Sequence, residues 1–162
     1  SSFAGKTLGI FTVPISSVLL SYFTNKNFKF TVKKLNIFVL IIIILSIIAL
    51  VVIQLSCPYF LPVLYPKIYN EAIPYLYLSN IGSILTISSN LLQTSIMKIA
   101  NTKYQIYIQL IFVLCFVMCS LTTIKMIGLY AICVSMIFAN IIKILYMIYI
   151  GNKTLRNDEV LK

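Results

Sequence analysis

The chain has 162 residues, of which 60% are hydrophobic and 10% charged, and its mean hydropathy is +1.02. It contains no histidine and only three acidic residues, so we expect no enzymatic activity, no cofactor and no metal site. The net charge of +10 does not indicate nucleic-acid binding, because the basic residues lie between long hydrophobic runs, as they do in the loops of membrane proteins.

The first hydrophobic run covers about residues 3–23 and contains Pro14 near its middle. A proline inside a helix removes a backbone hydrogen bond and bends the helix, and transporters use such bends in helices that move. Pro14 is therefore a candidate hinge. Because the chain starts Ser-Ser-Phe and enters this run almost at once, we expect it to be a piece of a longer polypeptide.

The second run, residues 35–56, reads LNIFVLIIIILSIIALVVIQLS and carries no charge. About 20 apolar residues in a helix cross the ~30 Å hydrocarbon layer of a bilayer, so this run predicts a membrane-spanning helix. Three further runs cover about residues 73–97, 104–123 and 127–150. The runs are continuous and do not alternate, which excludes a closed β-barrel. The sequence predicts an all-α bundle with about five spans.

The links between the runs differ in charge, which predicts an orientation. One set of links and the tail carry Lys26, Lys29, Lys33, Lys34, Lys98, Lys103, Lys153, Arg156 and Lys162, whereas the opposite side carries Lys6, Lys67 and Lys125. Basic residues favour cytoplasmic loops, so we expect the tail to be cytoplasmic and the link 57–72 to face outward. The prolines and tyrosines of that link predict a short element lying along the membrane surface.

The third run carries a stripe of polar residues at spacings of three and four, which places them on one face of a helix. The stripe comprises Ser79, Ser83, Thr86, Asn90 and Gln93, with Asn80 and Thr94 at its edges. Polar side chains avoid lipid, so this face is expected to line a water-filled cavity or to contact another helix. Spacing alone does not decide between a substrate cavity and a packing face.

The fifth run contains two polar residues three positions apart, Asn140 and Lys143, which share one helical face. A lysine within a membrane span is a candidate functional residue because a charge there is costly. The alternative is that its long side chain extends to the cytoplasmic end of the helix, seven residues away at Ile150. Both interpretations remain open from the sequence.

Taken in order, these segments resemble the C-terminal part of lipid-linked oligosaccharide (O-antigen type) and polysaccharide flippases. These proteins belong to the multidrug/oligosaccharidyl-lipid/polysaccharide exporter superfamily. The stretch PYFLPVLYPKIYNEAIPYLYL is similar to the family's aromatic-Gly-x-x-Tyr-x-x-Ala-x-Pro pattern. Tyr65, Tyr69, Ala72 and Pro74 match it, and Pro66 stands where glycine is usual.

Three other segments complete the resemblance. TVPISSVLLSYFTNKN resembles a proline-bent span with a basic link, and NLLQTSIMKIANTKYQIYIQ resembles an inner turn between two helices. IGLYAICVSMIFANIIKILYMIYIG resembles a late helix of the family, with Gly128 and Ala131 in its small-residue pattern.

The resemblance implies a multi-pass protein of the bacterial cytoplasmic membrane that flips a lipid-linked oligosaccharide by alternating access. This chain would form part of the second lobe, packed against an N-terminal lobe and surrounded by membrane lipids. Cationic cavity residues in the family hold the lipid pyrophosphate, a part that Lys143 and less clearly Lys6 could take here. The alternatives are a cation-coupled drug exporter of the same superfamily and a non-transporting membrane scaffold.

Overall fold

Four α-helices account for almost all of the described chain. The computed structural model describes residues 31–64, 69–100 and 102–160. The helices are α1 (Val32–Leu64), α2 (Tyr69–Ile99), α3 (Thr102–Ile127) and α4 (Tyr130–Val160). No strand occurs among these residues. The predicted all-helical fold is therefore confirmed for this part of the chain, while the run 3–23 and Pro14 lie outside the described residues.

Three of these helices are long and apolar enough to cross a membrane, namely those with candidate spans at Val32–Tyr59, Lys103–Ile127 and Tyr130–Arg156. Helix α2 is of similar length but is not among these candidate spans, and its interior carries serines, asparagines and a glutamine. The structure thus supports three candidate spans, and the expected total of about five stays a prediction.

Helix α1 ends later than the sequence analysis expected. It continues through Pro58 to Leu64, and α2 starts at Tyr69, so most of the expected link 57–72 is helical. A proline costs a helix one N–H donor and introduces a clash with the preceding turn. Membrane helices tolerate this cost because neighbouring groups can satisfy the carbonyl that is freed. The described residues of that link, 57–64 and 69–72, thus belong to the two long helices and do not form the expected short surface element.

The order of the helices along the chain sets their directions. Helix α1 runs antiparallel to α2, since Ser46 contacts Ser88 while Cys57, further along α1, contacts the earlier Asn80. Helices α2 and α4 run parallel to each other. Their contacting pairs keep an almost constant offset in sequence, as in Tyr75–Tyr130, Thr86–Asn140 and Asn90–Lys143. A parallel pair needs a returning segment, and α3 supplies it.

The turn between α3 and α4 depends on Gly128. Its φ is +56°, in the left-handed region that a residue without a Cβ adopts most readily. The amide of Gly128 donates to the carbonyl of Ile124 at 3.0 Å, and the amide of Ala131 donates to the Gly128 carbonyl at 3.1 Å. This two-residue connection turns the chain sharply and packs α4 along α3.

Helices α1, α2 and α4 approach most closely near one end of the bundle. Leu35, Ile96 and Met147 are fully buried there. A Cβ placed on Gly151 would come within 2.8 Å of side-chain carbons of both Leu35 and Ile96, so the missing side chain lets the three helices meet. Elsewhere the large apolar residues of α1 and α3 are mostly exposed, as is typical of surfaces that contact lipid or further helices.

Candidate functional site

Helix α2 lies against all three other helices, and its polar side chains point into these contacts. The central contact is with Asn140 of α4, which is fully buried. Its Nδ2 donates to Thr86 Oγ1 at 2.9 Å and to the Met136 carbonyl at 2.8 Å, and its Oδ1 accepts from Ser89 Oγ at 3.0 Å. Two of these three bonds, those to Thr86 and Ser89, hold α4 to α2, and the third lies within α4.

Lys143 lies one turn further along α4 and is 3% exposed. Its Nζ donates to Asn90 Oδ1 at 3.2 Å and lies 5.4 Å from the centre of the Phe112 ring. The ammonium therefore sits where α2, α3 and α4 meet. It does not extend along α4 toward Ile150, as the alternative interpretation of the sequence required.

The acidic residues of α2 and α4 are too far away to neutralise Lys143. At 1.5 Å per residue, the backbone of Glu71 is about 28 Å along α2 from Asn90. Asp158 is about 22 Å along α4 from Lys143. Within the described chain, the contacts of the ammonium are thus a neutral amide oxygen and an aromatic face. A buried cation with only such contacts favours the approach of an anion.

A row of amide side chains connects α2 to α3 next to this cation. Gln93 Nε2 donates to Gln105 Oε1 at 2.8 Å, and Gln109 Nε2 donates to Gln93 Oε1 at 3.0 Å. These three glutamines line an open groove of about 750 Å³ between the two helices. The apolar lining of the groove consists of Met97, Ile106, Leu110, Val113 and Leu114.

The predicted stripe on α2 is divided among these contacts. Thr86 takes part in the bonds to Asn140, Asn90 meets Lys143, and Gln93 reaches α3. Ser83 is buried and Ser79 is half-buried on the same helix. Asn80 instead faces α1, where it contacts Cys57; Ser88, which was not part of the predicted stripe, contacts Ser46 of the same helix. The stripe is wider than one face because α2 has neighbours on several sides.

Several participants were not singled out from the sequence. Ser89, Gln105, Gln109 and Phe112 all contact the predicted residues. The two glutamines of α3 could have been recognised from the sequence, since they are four positions apart near one end of an otherwise apolar run and therefore share one helical face. Ser89 and Phe112 gave none, because serines and phenylalanines are common throughout these helices.

The site offers hydrogen bonding and one positive charge. Among the described residues, no group of three or more His, Cys, Asp or Glu side chains could hold a metal ion. Comparison of the chain with protein-family models, with curated proteins and with solved structures finds no match. The fold and the site together define a helical protein with candidate membrane spans and a polar, cationic contact region between its helices.

Proposed function

We propose that this chain is part of a membrane transporter that flips a lipid-linked oligosaccharide across the bacterial cytoplasmic membrane. The single observation that carries the proposal is Lys143, a nearly buried cation whose contacts are Asn90 and Phe112. A lipid pyrophosphate brings negative charge into a region of low dielectric, where an uncompensated charge costs several kcal/mol. A lysine at the junction of three helices offsets that cost when such a substrate enters.

The polar groups around the cation also favour a translocation path. Asn90 and Gln109 are exposed at the side of α2 and α3, and Gln93 lies between them. Amides are costly against lipid, so this side of the bundle suits a water-filled cavity closed by another part of the protein. The resemblance to the flippase family supplies the substrate class, and alternating access between two lobes supplies the mechanism.

The proposal is tested by reconstituting the full-length protein alone into lipid vesicles that contain a lipid-linked oligosaccharide. Sugars in the inner leaflet should become accessible to external periodate, which does not cross the bilayer, whereas those in protein-free vesicles should stay protected. If the sugars are equally protected from periodate in both preparations, the result would contradict the proposal and favour the alternative of a non-transporting membrane scaffold. Uptake of a lipophilic cationic drug in place of sugar exposure would favour the drug exporter.

The orientation in the membrane is a second part of the proposal. The directions of the helices place Lys33, Lys103 and Arg156 at one end of the bundle and Lys125 at the other. We expect the first end, and hence the tail, to be cytoplasmic. In the full-length protein without its native cysteines, Asn70→Cys should react with an impermeant thiol reagent added to intact cells. Asn157→Cys should react only after lysis, and its labelling from outside would reverse the orientation.

A further inference from the structure

We infer that the groove between α2 and α3 binds the hydroxyl groups of the first sugars of the substrate. This inference rests on the proposed function and assigns a separate part of the substrate to a separate set of residues. Lys143 serves the phosphate groups, whereas Gln93, Gln105 and Gln109 serve the neutral sugar. These three glutamines line the groove of about 750 Å³ between α2 and α3.

The position of the glutamines in the helix limits what they can face. Gln105 and Gln109 belong to the candidate span Lys103–Ile127, and Gln109 is exposed at the bundle side. An amide that faces hydrocarbon loses its hydrogen bonds to water, which is unfavourable. The side of α3 that carries these glutamines therefore faces water, protein or a polar ligand, while the exposed apolar residues of the helix suit lipid or further helices.

The glutamine amides keep some capacity to bind a ligand through hydrogen bonds. The two hydrogen bonds among the three glutamines use one N–H of Gln93 and one N–H of Gln109. Gln105 Nε2 is buried, whereas Gln109 is exposed and has one N–H and its carbonyl left over from the bonds within the described chain. Each amide has two N–H donors and a carbonyl with two lone pairs. A sugar hydroxyl donates and accepts at once, so it can pair with both kinds of group. Amides carry no charge and would add little to phosphate binding.

The positions of residues along α3 give the order of the phosphate-binding residue, Lys143, and the sugar-binding glutamines. Phe112 contacts Lys143, and Gln109 and Gln105 precede it by three and seven residues on α3. These intervals correspond to about 4.5 Å and about 10 Å along the helix axis. In a lipid-linked oligosaccharide the first sugar is bonded directly to the phosphate. A phosphate at Lys143 therefore brings the adjoining sugars alongside the glutamines, toward the end of the bundle proposed to be cytoplasmic.

The test compares two probes on the purified full-length protein: a lipid-linked oligosaccharide and the same lipid pyrophosphate without sugars. Gln109→Leu should weaken binding of the sugar-bearing probe by about fivefold, the effect of one neutral hydrogen bond, and leave the bare lipid pyrophosphate unchanged. Gln54→Leu makes the same chemical change on α1 and should alter neither affinity. Equal weakening of both probes by Gln109→Leu, or no weakening, would overturn the inference.

A photoreactive amino acid gives an independent readout. At Val113, which lines the groove, it should crosslink to the glycan probe, whereas at Val117, one turn further along α3, it should not. Crosslinking of Val113 to a second copy of the chain would show that the groove is an interface and overturn the sugar assignment. If the unmodified protein binds neither probe, the proposed function itself fails, which is a different result from a normal affinity in Gln109→Leu.

Discussion

Lys143→Gln should lower the rate of oligosaccharide flipping by the full-length protein by at least about tenfold, because a hydrogen bond to a charged group contributes about 1.5–3 kcal/mol. The side chain is nearly buried, and its cationic group contacts a neutral amide and an aromatic ring. Removing the charge therefore breaks no ion pair to the acidic residues of α2 and α4. The measurement is periodate exposure of the sugars in reconstituted vesicles, at equal protein content.

Two further variants separate charge from shape. Lys143→Arg keeps the charge in a larger, planar group and should retain part of the activity. Lys153→Gln makes the same change on the same helix at an exposed lysine that lies over the Tyr149 ring, and it should transport normally. Normal transport by Lys143→Gln would instead assign phosphate binding to another part of the protein, and Lys143 would then be a residue of the helix contacts alone.

The abundance of Lys143→Gln in the membrane should equal or exceed that of the unmodified protein. Burying a charge without an opposite charge costs several kcal/mol, so a neutral side chain relieves the fold of that cost. Retaining such a lysine is therefore unfavourable for stability. A gain in abundance together with a loss of transport would be the signature of a residue kept for binding.

Much of the fold follows from the composition of the runs. Residues 35–56 are apolar throughout, so the position of α1 was evident from length and hydropathy, although its end was not. The helix boundary was expected at the start of the proline-containing link, but the helix continues past Pro58 and Pro62 to Leu64. A proline weakens a helix but does not always end it, so the position of a proline alone did not predict the end of α1.

The sequence predicts which helical face carries the polar residues of the site, but not which neighbouring helix that face contacts. Three-residue spacing correctly placed Asn140 and Lys143 on one side of α4, and the stripe on α2 was recognised in the same way. Spacing does not say which helix a face meets. That Thr86 meets α4 while Gln93 meets α3 depends on the parallel arrangement of α2 and α4, which the sharp turn at Gly128 permits.

The polar stripe on α2 was interpreted either as the wall of a substrate cavity or as a packing face. The two interpretations predict different effects of a substitution at Asn140 of α4, which bonds to α2. Its amide is fully buried and bonded to Thr86 and Ser89, so Asn140→Ala removes two bonds between helices and leaves a cavity. Hydrogen bonds between membrane helices average about 0.6 kcal/mol and reach about 1.7, so we expect a loss of roughly 1–3 kcal/mol in the free energy of unfolding. Denaturant unfolding in mild detergent measures it.

Asn152→Ala is the matched control, because its side-chain oxygen has no partner in the described chain and its removal should cost less. A double-mutant cycle with Ser89→Ala isolates the contact, and we expect a coupling of about 0.6 kcal/mol or more. The transport rate per folded molecule of Asn140→Ala should stay within about twofold of normal, since its amide is fully buried in the contact between α2 and α4 and cannot reach a substrate. A coupling energy of zero together with a large loss of transport would contradict a role in helix packing. It would instead indicate that Asn140, like Lys143, contacts the substrate.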